Sequence, residues 1–310
     1  MNKDFHDIED DGIEIYSKET FLPSYSHDCH KEAVPSPIQI VPAQTPKRNY
    51  WKVISLGALM LALIAIAGAG VAYWRYCHHI GVPVSATPQE NIAKLQQTSN
   101  VRPEVIATAD SILGVAINIY QLRGLAGEIS MQEPDTADRS VIFYTRCADY
   151  TTDGHMIGTM VVKGKEVMSD VCRLGYCAMV GHQTVIGISR SDAVADYCLE
   201  QNGSFFRQFI LVSNGTIPPK FFLHGKVERR ALARKTDDTL YYIQSRHKET
   251  MWDFADALRE YGFADAIYIT GGTEYCYYRT PDGQRHDLGT PPQHHRKNSE
   301  GHTPWLVFRK

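Results

Sequence analysis

Residues Leu240 to Gly272 read LYYIQSRHKETMWDFADALREYGFADAIYITGG, and this stretch carries the clearest structural pattern in the sequence. It predicts a strand, then a capped helix, then a second strand. Thr250 is the expected N-cap, and Gly262 is the expected C-terminal stop. Apolar residues recur between them at helical spacing: Met251, Phe254, Ala255, Leu258 and Tyr261. The stretch therefore predicts a helix that packs one face onto a sheet.

The second strand of this stretch, AIYIT (266–270), is almost wholly apolar, as in strands with both faces buried. It stops at Gly271 and Gly272. Paired glycines at a strand end let the backbone approach a ligand closely, and they also form simple turns. The pattern alone favours neither interpretation.

Further strands are predicted on both sides of a short helix upstream. The runs VIFYT (141–145), GTMVVKG (158–164), TVIGIS (184–189) and FILVS (209–213) are rich in β-branched residues and bounded by turn residues. The segment DAVADYCLEQ (192–201) predicts the helix. Strands and helices therefore alternate in the C-terminal part, which we expect to fold as one domain over 104–310.

A different kind of segment precedes this domain. Residues 53–74 contain 22 positions without a charge, and aromatic residues flank them on both sides. At about 1.5 Å per residue, a helix of this length crosses a hydrocarbon core of about 30 Å. Lys47, Arg48 and Lys52 come before the segment and Arg75 follows it. The positive-inside rule thus predicts a single span with a cytoplasmic N-terminus and the C-terminal domain outside, in a periplasm or extracellular space.

Two less regular segments surround the span. Residues 1–49 are acidic and interrupted by proline, so they predict a disordered cytoplasmic tail. This tail is either a solvated leader or a docking segment for a protein partner. Residues 77–103, with three prolines and several polar residues, predict a linker.

Composition excludes some classes of function. The formal charge is −3, from 32 Lys and Arg against 35 Asp and Glu. Because phosphate neutralisation needs a basic excess or stripe, we expect no nucleic-acid partner. Seven cysteines are too few for a disulfide scaffold. Cys172 and Cys177, with His182 beyond them, form either a disulfide or unpaired thiols, and their spacing is poor for zinc. We expect no metal and no cofactor.

The order of several short motifs carries a resemblance. Leu211-Val212-Ser213-Asn214-Gly215 is followed by Arg229-Arg230-Ala231, then by the capped helix, then by Gly262-Phe263-Ala264-Asp265-Ala266 and the strand that ends in Gly271-Gly272. This order resembles the phosphodiester glycosidase family, over about residues 205–275 and more weakly back to 140. The resemblance implies an α+β fold around a twisted mixed β-sheet flanked by helices. It also implies hydrolysis of a sugar linked through a phosphodiester.

The resemblance places individual residues in the site. Arg230 falls at the family's arginine, and Gly271 and Gly272 fall at its glycine pair. A guanidinium presents a planar fork of donors that suits a phosphoryl group, and strand-end amides add to such a site. Arg279 is a further candidate for holding the anion. The expected ligand is therefore a glycan or a sugar phosphate.

The sequence departs from the family where acid–base chemistry is needed. Thr270 stands where the family has its catalytic aspartate, and a threonine cannot act as a carboxylate base or acid. Asp149 and Glu274 are the candidates to replace it. Two hypotheses follow: a membrane-anchored envelope hydrolase of phosphodiester-linked sugars, or a catalytically inactive glycan-binding or scaffolding domain on the same fold.

Overall fold

The computed structural model describes residues 50–78, 81–98, 100–147, 157–169, 174–221, 223–272, 275–289 and 304–310. The predicted tail, residues 1–49, lies outside these ranges, so its disorder and its protein partner stay predictions.

The first described element is helix α1, Tyr50–His78. Its segment Ile54–Ala72 has a mean hydropathy of 2.3 over 19 residues, and this segment is long and apolar enough to cross a membrane. Large apolar side chains along it are exposed, for example Leu61 at 70% and Ile66 at 68%. The apolar helix predicted over 53–74 is therefore confirmed, whereas its orientation stays a prediction.

The predicted linker over 77–103 is wrong in part, because helix α2, Pro88–Leu95, lies within it. Thr87 and Glu90 form a capping box: the Glu90 amide donates to Thr87 Oγ1 at 3.3 Å, and the Thr87 amide donates to Glu90 Oε2 at 2.7 Å. Pro88 is tolerated because the first helical position needs no amide donor. Asn91 and Leu95 of this helix are buried in the domain.

Two more helices and sixteen strands complete the described chain. The helices are α3 (Ala193–Glu200) and α4 (Met251–Glu260). The first eight strands are β1 (Glu104–Ile112), β2 (Val115–Arg123), β3 (Ala126–Ser130), β4 (Val141–Arg146), β5 (Met160–Val162), β6 (Lys165–Met168), β7 (Gly175–Val180) and β8 (Gln183–Ile188). The other eight are β9 (Ser204–Gln208), β10 (Ile210–Val212), β11 (Arg229–Arg234), β12 (Leu240–Ser245), β13 (Asp265–Gly271), β14 (Cys276–Arg279), β15 (Arg285–Leu288) and β16 (Trp305–Arg309).

The strands form three sheets. Their orders are β1-β2-β12-β11-β13-β10, β15-β14-β4-β16-β3 and β6-β5-β9-β7-β8. The predicted α+β class is confirmed. Every ladder between the described strands is antiparallel, so the sheets differ from the mixed sheet that the resemblance implied. Tight hairpins explain this, such as the two-residue turn between β1 and β2, where Leu113 and Gly114 have φ of +52° and +84°.

The stretch 240–272 forms as predicted. The Asp253 amide donates to the Thr250 hydroxyl at 3.0 Å and caps α4. Gly262 follows α4 with φ of +92°, a conformation that glycine adopts without strain. All residues of β13 before Gly271 are buried. Helix α4 therefore leads directly into an inner strand of the first sheet.

The first sheet is covered on both faces, and this decides where its side chains point. Ala231 and Ala233 of β11 belong to the apolar cluster that contains α4. Leu232, between them, belongs to a cluster shared with the other two sheets. Because side chains alternate along a strand, Arg230 and Arg234 lie on the Leu232 face, between the sheets.

Candidate anion-binding site

Strand β11 carries the arginine that the sequence singled out. All six of its residues are buried, and the side chain of Arg230 is 0% exposed. Burying a guanidinium is costly unless it is paired or hydrogen-bonded. The groups around Arg230 therefore define what this part of the molecule can bind.

A β-bulge lies directly opposite Arg230. Arg229 pairs with Gly271 of β13, but Ala231 pairs with Tyr268, so Ile269 and Thr270 together face Arg230. Bulges of this kind bend a strand locally and redirect its side chains, and they are common beside functional sites. The bulge brings the end of β13 and its glycines to the Arg230 side chain.

Arg230, Gly272 and Glu228 form a closed ring of contacts. Arg230 Nη1 donates to the Gly272 carbonyl at 2.5 Å, and Arg230 Nη2 lies 3.4 Å from Glu228 Oε2. The Gly272 amide donates to the Glu228 carbonyl at 3.0 Å. The structure thus brings Arg230 and the glycine pair together. It corrects the predicted use of Gly272, because its amide is already engaged and its carbonyl orients the guanidinium.

A tyrosine phenol and a cysteine thiol beside Arg230 stay protonated. Burial raises the pKa of the Tyr242 phenol, and the neighbouring Arg230 only partly opposes this. Burial likewise raises the pKa of the Cys276 thiol against the opposing effects of Arg230 and Tyr242. The Tyr242 hydroxyl lies 3.4 Å from the Thr145 hydroxyl, which donates to the Tyr275 carbonyl at 3.1 Å. At neutral pH the phenol is therefore a hydrogen-bonding group rather than a base, and the thiol is not a nucleophile.

A row of polar side chains crosses the sheet at the level of Arg230. Gln244 of β12 pairs with Arg230, and Asn118 of β2 pairs with Gln244. Gln244 is 8% exposed, and its side-chain oxygen is buried without a hydrogen-bond partner in the described part of the chain. The sequence patterns did not predict either amide as a site residue. The available signal was an amide side chain within each of two largely apolar runs, LYYIQS and VAINIYQL.

The remaining site residues have different outcomes. Thr270 is 3% exposed and lies in the bulge opposite Arg230. Arg279 donates to the Thr136 carbonyl at 3.0 Å, three residues and about 10 Å along β14 from Cys276. Its predicted role in holding the anion is corrected, because it fixes the backbone before β4 instead. Asp149 and Glu274 lie outside the described residues, so their roles stay predictions.

Of the two cysteines predicted to form either a disulfide or unpaired thiols, the structure describes only Cys177. Cys177 is an unpaired, buried thiol, and burial raises its pKa well above the ordinary value. Cys172 lies outside the described residues. His182 Nδ1 lies 3.1 Å from the Gly124 carbonyl, and within the described ranges no three side chains group as metal ligands.

The fold and site together define a class: an antiparallel α+β domain with a buried arginine site at a strand end, in a chain that also carries an apolar helix of membrane length. No protein-family model and no curated protein sequence matches the chain.

Solved structures are similar to this chain at low sequence identity. A hypothetical protein from Synechocystis is 9% identical with a TM-score of 0.51, over 69% of this chain and 64% of that chain. The catalytic domain of zebrafish N-acetylglucosamine-1-phosphodiester alpha-N-acetylglucosaminidase, auto-inhibited by its pro-peptide, is 12% identical with a TM-score of 0.49. That match covers 70% of this chain and 86% of that chain. The likeness to the Synechocystis protein supports a distant relationship of fold and defines no particular family.

Proposed function

We propose that the protein is anchored in a membrane by α1 and that its outer domain recognises phosphodiester-linked sugars of glycans. Arg230 is the residue that binds the phosphate in this proposal. The observation that carries it is the fully buried guanidinium, held at Nη1 by the Gly272 carbonyl and facing the Glu228 carboxylate across 3.4 Å. A guanidinium oriented in this way binds a phosphoryl group with little loss of side-chain entropy.

The groups around Arg230 fit the sugar part of such a ligand. Gln244 and Asn118 continue the row from Arg230, and amides donate to and accept from sugar hydroxyls. Tyr242, kept protonated by burial, adds a hydroxyl close to the guanidinium. A charged anchor beside neutral polar groups matches a ligand with one phosphate and a neutral sugar.

Hydrolysis is the second candidate function. A phosphate is a good leaving group, so cleavage of the sugar–phosphate bond needs little protonation of that group. One carboxylate then suffices: water attacks the anomeric carbon, the bond to the phosphate oxygen breaks, and the carboxylate takes the proton from water. Glu228 is the described carboxylate beside Arg230, and Asp149 and Glu274 remain the sequence-based candidates. Thr270 favours the alternative, a domain that binds without turnover.

The test uses the full chain in nanodiscs, with calorimetric titration of a panel of sugar phosphodiesters and an assay for released sugar. Arg230→Lys keeps the charge but removes the planar fork, so we expect at least about tenfold weaker binding, about 1.4 kcal/mol. Arg279→Lys is the matched control and leaves binding unchanged, because Arg279 contacts a backbone carbonyl elsewhere.

The outcomes separate the candidates. Turnover by the natural chain that disappears in Arg230→Lys supports the hydrolase, and turnover that appears only in Thr270→Asp supports a degenerate enzyme. If the natural chain binds no member of the panel, or if Arg230→Lys binds as tightly, the proposal is wrong.

The proposed orientation has a separate test. Three basic residues precede the span and one follows it, so the domain is expected outside the cytoplasm. A cysteine introduced at exposed Leu113 should react with a membrane-impermeant thiol reagent in intact cells. Labelling no stronger than that of the natural chain would place the domain inside the cell.

A further inference from the structure

A polar cavity lies at the end of strand β11 opposite to Arg230. It has a volume of about 290 Å³. Arg234 lines it, four residues and about 14 Å along the strand from Arg230. Its walls come from three separate parts of the chain: the segment around α2, the ends of β2, β11 and β12, and the turn between β7 and β8. The volume approaches the lower end of the range for small-molecule sites.

The cationic side chains of the cavity are paired with carboxylates, of which Asp238 lies in the lining and Asp265 and Glu104 lie outside it. Lys94 pairs with Asp238 at 2.9 Å, and Arg234 pairs with Asp238 and, at 2.7 Å, with Asp265. Arg123 pairs with Glu104 at 2.8 Å. These three cations meet those three carboxylates, and Asp237 adds one more negative charge to the lining. Among the described residues, an anion therefore finds no unmatched positive charge in this cavity.

Uncharged hydrogen-bonding groups remain in the lining. They belong to Gln97, Gln183, Thr184 and Thr239. The Thr184 hydroxyl is buried and has no hydrogen-bond partner in the described part of the chain, although buried hydroxyls normally have one.

Beneath these groups the cavity has an apolar floor. The side chains that form it are almost fully buried: Leu122, Leu125, Val185 and Leu240. Hydroxyl and amide groups above an aliphatic floor suit a ligand with hydroxyls on its edge and C–H groups on its faces.

We infer that this cavity binds one neutral saccharide residue, a site separate from Arg230 and independent of the function proposed for it. The amides and the Thr184 hydroxyl bind the sugar hydroxyls, and the leucine and valine side chains contact its C–H face. The segment predicted as a linker contributes Lys94 and Gln97 to the wall, so the site exists only because that segment packs on the domain.

The experiment titrates the full chain in nanodiscs with free glucose, mannose and N-acetylglucosamine, observed by saturation-transfer NMR, and with sodium phosphate as a competing anion. Thr184→Val has nearly the same shape and removes the hydroxyl. We expect saccharide affinity to fall about five- to tenfold, the value of one hydrogen bond. Thr108→Val, on the exposed strand β1, is the matched control and leaves affinity unchanged.

Stability and competition keep the test decisive. Because the Thr184 hydroxyl has no hydrogen-bond partner in the described part of the chain, Thr184→Val should unfold at the same temperature as the natural chain or higher. Sodium phosphate should leave saccharide binding unchanged, which separates this site from the phosphate site. The inference is overturned if none of the three sugars binds, if Thr184→Val binds them equally well, or if phosphate displaces them.

Discussion

Strand β11 carries two buried arginines on the same face, and their surroundings differ. Arg234 pairs at 2.7 Å with Asp265, and the two side chains are 5% and 2% exposed. Arg230 is 0% exposed, but its neighbouring carboxylate, Glu228, is 26% exposed and 3.4 Å away. At the Arg234 end one carboxylate, Asp265, is buried and a second, Asp238, is exposed, whereas at the Arg230 end the described carboxylate, Glu228, is partly exposed. Burial alone therefore does not mark a binding arginine, since the accessibility of its carboxylate partner matters as well.

The largest loss of stability is expected at the Arg234 end of β11, where Asp265 is buried. Asp265→Asn removes the charge that faces Arg234 while keeping the shape of the side chain. A buried cation that loses its partner typically costs 3–5 kcal/mol, and the additional contact with Asp238 places our expectation at about 3 kcal/mol. Glu228→Gln is the matched change at the other end and should cost less than about 1 kcal/mol, because that carboxylate is partly solvated. Chemical denaturation of both variants measures this.

Equal losses in the two variants would contradict the comparison. A loss in Glu228→Gln as large as that expected for Asp265→Asn would show that Glu228 neutralises Arg230 structurally. Arg230 would then belong to the framework of the fold, and the proposed phosphate site would lose its main support.

Much of the fold could be predicted from local patterns. Thr250, Gly262 and the apolar spacing between them specified α4, because capping and periodicity act within a few residues. Strand β11 was missed, since KVERRALARK looks like a solvated basic segment. Its burial depends on Asp265 and Gly272, which lie more than thirty residues away along the chain. No local rule anticipates such partners.

The candidate site was predictable to the same limited extent. Spacing and family resemblance indicated that Arg230 and the glycine pair meet, but the bulge that joins them follows from strand register. The prediction of a linker over 77–103 failed for a different, local reason. Proline at the start of α2 suggested an irregular segment, whereas Thr87 and Glu90 already matched a capping box. A proline at the first helical position indicates a helix start as readily as a break.

A second test measures the stability of the Arg230 end at alkaline pH. Burial raises the pKa values of Tyr242 and Cys276 above their ordinary values of 10.0 and 9.0. The unfolded chain therefore loses these protons first. Their contribution to stability is complete below about pH 9 and falls as pH rises. We expect the free energy of unfolding to decrease above pH 9, by up to about 1.4 kcal/mol per pH unit for each group.

Tyr242→Phe isolates one of these protons beside Arg230. Denaturant unfolding between pH 8 and 11 should show a shallower decline than in the natural chain, by at most one proton, above about pH 10. An unchanged slope would mean that Tyr242 ionises equally easily in both states, so the polar row would be open to water instead of buried.

The smallest loss of stability is expected from a contact of Asp265 at the Arg234 end of β11. Ser85 lies in the segment predicted as a linker, 77–103. Its hydroxyl donates to Asp265 Oδ1 at 2.5 Å and accepts from the Asn214 amide at 3.1 Å. Ser85→Ala should lower the free energy of unfolding by about 1 kcal/mol, with Ser111→Ala on exposed β1 as a near-neutral control. Because Asp265 keeps its contact with Arg234, the loss should be well below that of Asp265→Asn and should disappear when Asp265 is already Asn. If the two losses simply add, Ser85 does not act through Asp265, and the segment before α2 stabilises the domain by other contacts.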